Sequence, residues 1–264
     1  MDMKPEVSAY LTEMFSSIQG EGPHVGARHL FVRFYGCHRR CLYCDTPETV
    51  TAWQPAGFRP EAVDVEMPPG TGMRKLVRNP LTPAGLMEWV RTFDEPRGIH
   101  DAVVATGGEP LLHARFLKEW FPSVRERGLK TYLETSGDLY HELEKLGRCV
   151  DVVAMDLKLP SVTGNEASWG NHRRFLQRCL DLEVEVFVKV VVGADTSDLD
   201  FEQALKVVAD IDAGVPFIVQ PLTPFGEARN PPSSRQLLVW HERAREVLSR
   251  VRVIPQSHKL MGAR

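Results

Sequence analysis

Short apolar runs rich in Val, Ile, Phe and Tyr alternate along this chain with segments of helical period. Strands are predicted at residues 29–35, 101–105, 130–133, 150–155, 184–192 and 215–219, with a possible seventh at 251–255. Helical patterns cover 82–93, 111–127, 139–146, 167–182, 198–211 and 234–248. Strands and helices in alternation give a parallel sheet, either open and doubly wound or curled toward a barrel. Side-chain parity favours the barrel. In the fifth strand Val184, Val186, Val188, Val190 and Val192 make one wholly apolar face, and Glu183, Glu185, Phe187, Lys189 and Val191 the other. Charge on one face suits a wall whose lumen holds a polar ligand, whereas an open sheet covered on both sides reads as continuously apolar. The expected fold is therefore α/β, a partial (β/α) barrel of about six parallel strands, forming a single domain over residues 1–264. Residues 53–80 break the rhythm with Pro55, Pro60, Pro68, Pro69, Gly70 and Gly72, and read as an inserted loop or lid, or as a disordered surface excursion.

Composition narrows the function. The chain has 264 residues, 32 Lys and Arg against 35 Asp and Glu, and a net charge of −3, a balance without the basic footprint of a nucleic-acid binder. No apolar run reaches the length of a membrane span and no basic-then-apolar leader is visible, so a cytoplasmic protein is expected. Five cysteines, an odd number, do not make a disulfide framework. Three of them, Cys37, Cys41 and Cys44, form a C-x3-C-x2-C run directly after the first strand. Thiolates at that density select zinc or an iron–sulfur cluster. Structural zinc wants four ligands; here there is no second pair, His38 is badly placed beside Cys37, and Cys149 and Cys179 are isolated and read as buried apolar residues. A [4Fe–4S] cluster held by three cysteines instead leaves one iron open for chemistry.

The run, with Tyr43 before its last cysteine, resembles the radical S-adenosylmethionine (SAM) superfamily. The resemblance implies that SAM binds the open iron and that its one-electron cleavage yields a 5′-deoxyadenosyl radical. Gly107-Gly108-Glu109-Pro110, after the second strand, matches the superfamily's GGEP motif, which contacts the methionine amino group; two residues without Cβ let backbone approach a ligand closely. Glu134, Ser136, Asp156, Lys158 and Gln220 lie near strand ends, within reach of ribose hydroxyls, although solvated or structural roles suit each of them singly. By the same resemblance Tyr43, Asp45, Gly108, Glu109, Ser136, Asp156, Lys158 and Gln220 are the expected SAM-binding residues.

A wider set of motifs, Ser17-Ile18-Gln19-Gly20-Glu21-Gly22, Phe31-Val32-Arg33, Gly36-Cys37, Cys44-Asp45-Thr46, Thr106-Gly107-Gly108-Glu109-Pro110 and Pro255-Gln256-Ser257-His258-Lys259, resembles the 7-carboxy-7-deazaguanine synthase family of queuosine and deazapurine biosynthesis. The resemblance runs from about Met14 to Lys259. It implies conversion of 6-carboxy-5,6,7,8-tetrahydropterin to 7-carboxy-7-deazaguanine with loss of ammonia. It further implies Mg2+ held through the Thr46 hydroxyl, an electron donor such as flavodoxin or ferredoxin, a homodimer, and regeneration of SAM. Substrate contacts are expected from Ile18, Gln19, Gly20, Arg33 and Thr106. Arg33 shares the parity of Phe31 and Tyr35, which puts its planar fork in the lumen, where a carboxylate can be taken bidentately. Its alternative role is pairing with an internal acid such as Glu183 or Glu185. Asp45-Thr46-Pro47 also suits a helix N-cap. Where many relatives carry Ser-Pro-Lys, this chain has Asp156-Leu157-Lys158. Two other readings remain at this point: an activating enzyme of the glycyl-radical type acting on a protein, and a non-catalytic Cys-rich or zinc-binding module.

Overall fold

The apolar alternation of the parallel strands is satisfied by one continuous sheet. The computed structural model describes residues 6–263. Its strands are β1 (Leu11–Ile18), β2 (Arg28–Phe34), β3 (Ala62–Glu66), β4 (Arg74–Arg78), β5 (Ala102–Gly107), β6 (Lys130–Thr135), β7 (Val152–Asp156), β8 (Glu185–Val192), β9 (Phe217–Pro221) and β10 (Val251–Val253). They are ordered β10-β9-β8-β7-β6-β5-β2-β1-β3-β4. The run from β2 through β5 to β10 is parallel throughout. These are the seven segments that the apolar runs mark out, each displaced by no more than a few residues at its ends. The sheet is mostly parallel and does not close, as a partial barrel requires.

The helices α1 (Pro83–Phe93), α2 (Ala114–Glu126), α3 (Tyr140–Leu146), α5 (Trp169–Asp181), α6 (Asp198–Ala209) and α7 (Ser234–Val247) follow the sequence pattern, and two single-turn helices, α4 (Pro160–Thr163) and α8 (Ser257–Leu260), are added. Local chemistry sets their ends. Thr82 accepts from the Gly85 N–H and Pro83 opens α1, while Ser233 and Gln236 form a reciprocal cap on α7. Leu86, Met87, Val90 and Phe93 then fall on one buried face of α1.

Two cores result. The larger lies between the helices and the outer face of the sheet and takes Val186, Val188, Val190 and Val192 from β8. The smaller lies on the inner face and joins Phe15, Phe31, Val104, Tyr132, Val152 and Phe187; Phe15 and Phe31 stack at 5.2 Å. This second core fills the lower lumen, so a ligand site is confined to the strand C-terminal ends above it.

Three strands depart from expectation. β1 pairs antiparallel with β2 and carries the residues just before Gln19. Residues 53–80, expected as an irregular insertion, contain β3 and β4, an antiparallel pair attached to β1 through β3. The prolines and glycines lie outside both strands, and charged β4 forms a sheet edge, a usual way of keeping an edge from pairing with another chain.

The Gly-Gly turn after β5 fixes how closely two loops meet. Glu109 N–H donates to Gly36 C=O at 2.7 Å, and a Cβ on Gly108 would stand 2.1 Å from that oxygen. Gly108→Ala is therefore expected to cost more than about 2 kcal/mol in urea unfolding, because backbone must move. Gly170→Ala, in open space on α5, is expected to be neutral or stabilising by up to about 1 kcal/mol.

Candidate active site

One cavity opens at the C-terminal ends of the parallel strands. Cys37, Cys41 and Cys44 line it from the loop after β2, and Gly107, Gly108 and Glu109 from the turn after β5. Glu134, Thr135 and Ser136 reach it from β6, Asp156 and Lys158 from β7, Lys189 from β8 and Gln220 from β9. Ile18, Gln19, Gly20 and Glu21 cross to it from the end of β1, and Arg33, Tyr43, Asp45, Thr46 and Thr106 complete the set expected from sequence. All seventeen expected site residues thus face one space, although they span residues 18 to 220.

The inside of this space is charged. Glu21 pairs with Lys189, which reaches Asp156 at 3.1 Å. Asp156 also pairs with Lys158 at 2.9 Å, and Lys158 donates to the Tyr43 hydroxyl at 3.2 Å while lying over its ring. The charges alternate in sign along this chain of contacts, as groups removed from water require. Burial alone would raise the Asp156 carboxyl, but Lys158 and Lys189 outweigh it and hold it at about 2. Burial likewise opposes ionisation of Glu21, and Lys189 with Gln256 overcomes it, leaving the group below its ordinary value. Glu134 makes no ion pair among the described residues, and Lys189 acts on it only from a distance. Burial first, and the nearby Glu21 second, push its carboxyl upward.

Glu134 also gathers two of the expected substrate residues. Gln19 Nε2 donates to it at 3.1 Å and the Thr106 hydroxyl lies 2.6 Å from its other oxygen. The Glu21 N–H donates to Gln19 Oε1 at 3.0 Å. The loop before β2 is further held to the segment after β10, because Ser257 N–H and hydroxyl both donate to Gly20 C=O at 2.9 Å.

Some expected side chains are already committed. Glu109 is fully buried and accepts from the Leu111 N–H, the Thr135 hydroxyl and the Ser136 N–H at 2.8–3.1 Å. The Ser136 hydroxyl stands 2.6 Å from both Glu109 and Asp138, and its one proton serves only one of them. Asp138 in turn holds Arg39, between the first two cysteines, at 2.6 Å, and His38 at 3.0 Å. Glu109 and Ser136 therefore tie the turn after β6 to the cysteine loop.

Other groups are left open. Asp156 Oδ1 and Gln220 Oε1 are buried without a hydrogen-bond partner among the described residues. Thr46 caps the short turn Pro47–Thr49 by position, but its hydroxyl makes no capping bond; its nearest polar neighbours are Thr49 Oγ1 at 3.5 Å and Cys44 Sγ at 3.8 Å. Asp45 is exposed and reaches Lys259 at 3.5 Å. Arg33 does have an acid partner, but it is Glu13, at 3.1 Å, and not Glu183 or Glu185. Those two stand at the opposite end of β8, where Glu183 pairs with Arg148 and Glu185 with His24 and Lys130.

The cysteine loop suits a cluster. All three thiols are free. Among the described residues no three Cys, His, Asp or Glu side chains close on a point that could hold a single metal ion. Burial pushes Cys37 up to about 12 and raises Cys41 and Cys44 as well, so thiolates form there only against the charge of a metal. Asn165 Nδ2 lies 3.4 Å from Cys41 Sγ as a donor to that sulfur.

A thiol triad on the first loop of a parallel partial barrel, facing buried acceptors on the later strands, defines a radical SAM protein, and the Radical SAM superfamily profile matches residues 31–208. Within that class the relatives are specific. A 7-carboxy-7-deazaguanine synthase of Geobacter sulfurreducens is 38% identical over 258 residues, 96% of this chain and 97% of that one. Its counterpart in Methanopyrus kandleri is 33% identical, covering 98% and 95%. The crystal structure of QueE from Escherichia coli superposes with a TM-score of 0.61 over 93% of both chains at 20% identity, a likeness of fold. The chain belongs to the 7-carboxy-7-deazaguanine synthase family and is a radical SAM lyase. Membership implies a [4Fe–4S] cluster and SAM, and sets aside the glycyl-radical and zinc-module readings.

The buried charge chain generates a test. Asp156→Asn leaves Lys158 and Lys189 without their shared anion and is expected to cost about 3–5 kcal/mol at neutral pH. Because the Asp156 pKa is depressed, its contribution is complete above the unfolded value near 4 and disappears as pH falls toward 2. The difference in urea-unfolding free energy between wild type and Asp156→Asn, in matched preparations, is expected to shrink over that window. A difference that stays constant from pH 6 to 2 would show that Asp156 is not the anion holding the two lysines.

Proposed function

We propose that this chain converts 6-carboxy-5,6,7,8-tetrahydropterin to 7-carboxy-7-deazaguanine with release of ammonia. The observation that carries the reading is the convergence of the Ile18-Gln19-Gly20 loop, Thr106 and Arg33 on the same cavity as the three cysteines. When bound, the [4Fe–4S] cluster and SAM supply a 5′-deoxyadenosyl radical that abstracts a hydrogen atom from the substrate. Cys37, Cys41 and Cys44, all free and lining the cavity, would hold the cluster beside the space open to SAM.

The protein's own residues bind, orient and exclude water. Gly108 lets backbone approach the methionine end of SAM. Asp156 Oδ1 and Gln220 Oε1, both unsatisfied, would accept from ribose hydroxyls. Tyr43 with Lys158 above it, and Asp45 beside it, would frame the nucleoside. Glu109 and Ser136, whose side chains are committed to each other, would contribute through the backbone they hold in place.

On the substrate side, Ile18, Gln19 and Gly20 offer amide groups to the pterin edge, and Arg33 offers its terminal fork to the carboxylate. Glu134, which accepts from Gln19 and Thr106, would hold both of these residues toward the substrate. Mg2+ belongs to the same reading. Thr46 provides one hydroxyl whose protein contacts, Thr49 Oγ1 at 3.5 Å and Cys44 Sγ at 3.8 Å, are long, and the ion would take its other ligands from substrate and water. A homodimer and a one-electron donor of the flavodoxin or ferredoxin kind complete it. Among the described residues no helix is long and apolar enough to cross a membrane.

The test is reconstitution under anaerobic conditions. With SAM, reductant, Mg2+ and the carboxypterin, the enzyme is expected to form the deazaguanine. Formation of 5′-deoxyadenosine without that product would overturn the substrate assignment. Alanine at Cys37, Cys41 or Cys44 is expected to abolish turnover with the far-ultraviolet circular dichroism retained, and activity in any of the three would refute cluster chemistry at this loop. Omitting Mg2+ is expected to slow product formation with the wild type, and Thr46→Ala to lose that response.

A further inference from the structure

The hairpin of β3 and β4 reaches the cavity wall through a row of charges that crosses four strands. On β2, Arg33 sits opposite Glu13 of β1, and Glu13 opposite Asp64 of β3. Two carboxylates side by side on neighbouring strands repel. Arg74 of β4 bridges them, with Nη1 3.1 Å from Glu13 Oε1 and 3.1 Å from Asp64 Oδ2. The other Glu13 oxygen accepts from Arg33 Nε at 3.1 Å. Followed by side-chain contact, the row is Arg33, Glu13, Arg74, Asp64, with the Arg74 backbone two positions along β4, opposite Glu66.

The atom that Glu13 engages matters. Arg33 gives Nε to Glu13, and its terminal nitrogens make no hydrogen bond among the described residues, although the side chain lines the cavity. Its stem is fenced by Gly107, where a Cβ would come within 2.5 Å of Cγ, and its guanidinium carbon lies 5.5 Å from the centre of the Phe15 ring. A guanidinium held at Nε and lying against an aromatic ring has its remaining fork aimed by its surroundings and not by the ligand. Glu13 taken alone would neutralise the charge it aims. Arg74 shares that carboxylate, so the fork keeps attraction for an anion.

We propose that Glu13 and Arg74 are positioning residues for Arg33, which makes the β3–β4 hairpin part of the apparatus that selects a carboxylated substrate. The inference rests on the reading that Arg33 takes the pterin carboxylate. The chemistry selected is a planar carboxylate on a flat heterocycle, against the same heterocycle without it.

The experiment compares equilibrium binding of 6-carboxy-5,6,7,8-tetrahydropterin and of 5,6,7,8-tetrahydropterin to enzyme loaded with cluster and SAM, without reductant, by calorimetry. Wild type is expected to prefer the carboxylated ligand. Glu13→Ala is expected to reduce that preference on the order of tenfold, and Glu13→Gln, which keeps an acceptor for Nε, to restore most of it. Arg74→Ala, at a half-exposed edge position, is expected to reduce it about threefold to fivefold, with Arg74→Lys intermediate. Weakening of both ligands equally would mean a merely structural role and overturn the proposal. So would a tighter grip on the carboxylated ligand in Glu13→Ala and Glu13→Gln alike, the signature of simple charge removal. If Glu13→Ala fails to fold, an unchanged preference in Arg74→Ala overturns the proposal by itself. No preference in the wild type would instead sink the reading of Arg33, and the two failures are thereby told apart.

Discussion

The alternation of charge from Glu21 through Lys189 and Asp156 to Lys158 is what the upper lumen depends on. Each of these side chains is largely withdrawn from water, and none could stay ionised alone. Because they stand on the loop after β1 and on β8 and β7, their pairing ties three separated stretches of chain to one geometry. Glu134 shows the same rule from the other side. Lacking a paired cation, it is pushed toward its neutral form. A lumen built this way presents both fixed charge and a protonatable acid, and holds them still without help from a ligand.

Much of this arrangement was legible in the sequence. Alternation along residues 184–192 put Lys189 inside and five valines outside, and the structure agrees. The cysteine loop, the Gly-Gly turn and the Gln-Gly-Glu-Gly loop could be read because each is contiguous, so local chemistry is visible in one stretch. β1 escaped notice because its eight residues, LTEMFSSI, mix adjacent buried Met14, Phe15 and Ser16 with exposed-type residues, and the antiparallel pairing that buries them is supplied by β2. β3 and β4 were hidden by the prolines and glycines around them.

Partners distant along the chain could not be read at all. Parity put Arg33 in the lumen correctly, yet Glu13 was not foreseen as its acid, since nothing in a single strand announces its neighbour. Lys189 was placed on the right face without its partner Glu21, which lies 168 residues away. Glu109 illustrates a different limit. A motif places a carboxylate after two glycines but does not announce its protein partners, which are the Leu111 N–H just beyond it and the Thr135 hydroxyl and Ser136 N–H at the end of β6. Motif membership thus locates the residue, while its protein partners at the end of β6 cannot be read from it.

The pair of hydrogen bonds from Ser257 to the Gly20 carbonyl has a consequence for how this protein is made. The loop carrying Gln19 emerges from the ribosome early, but the residues that brace it from beyond β10 emerge more than two hundred positions later. Until then the barrel's mouth has one wall missing, and contacts of such long sequence separation form slowly. The cysteine loop and the Gly-Gly turn can therefore be in place on the growing chain while the Gln19 loop beside them still waits for its brace.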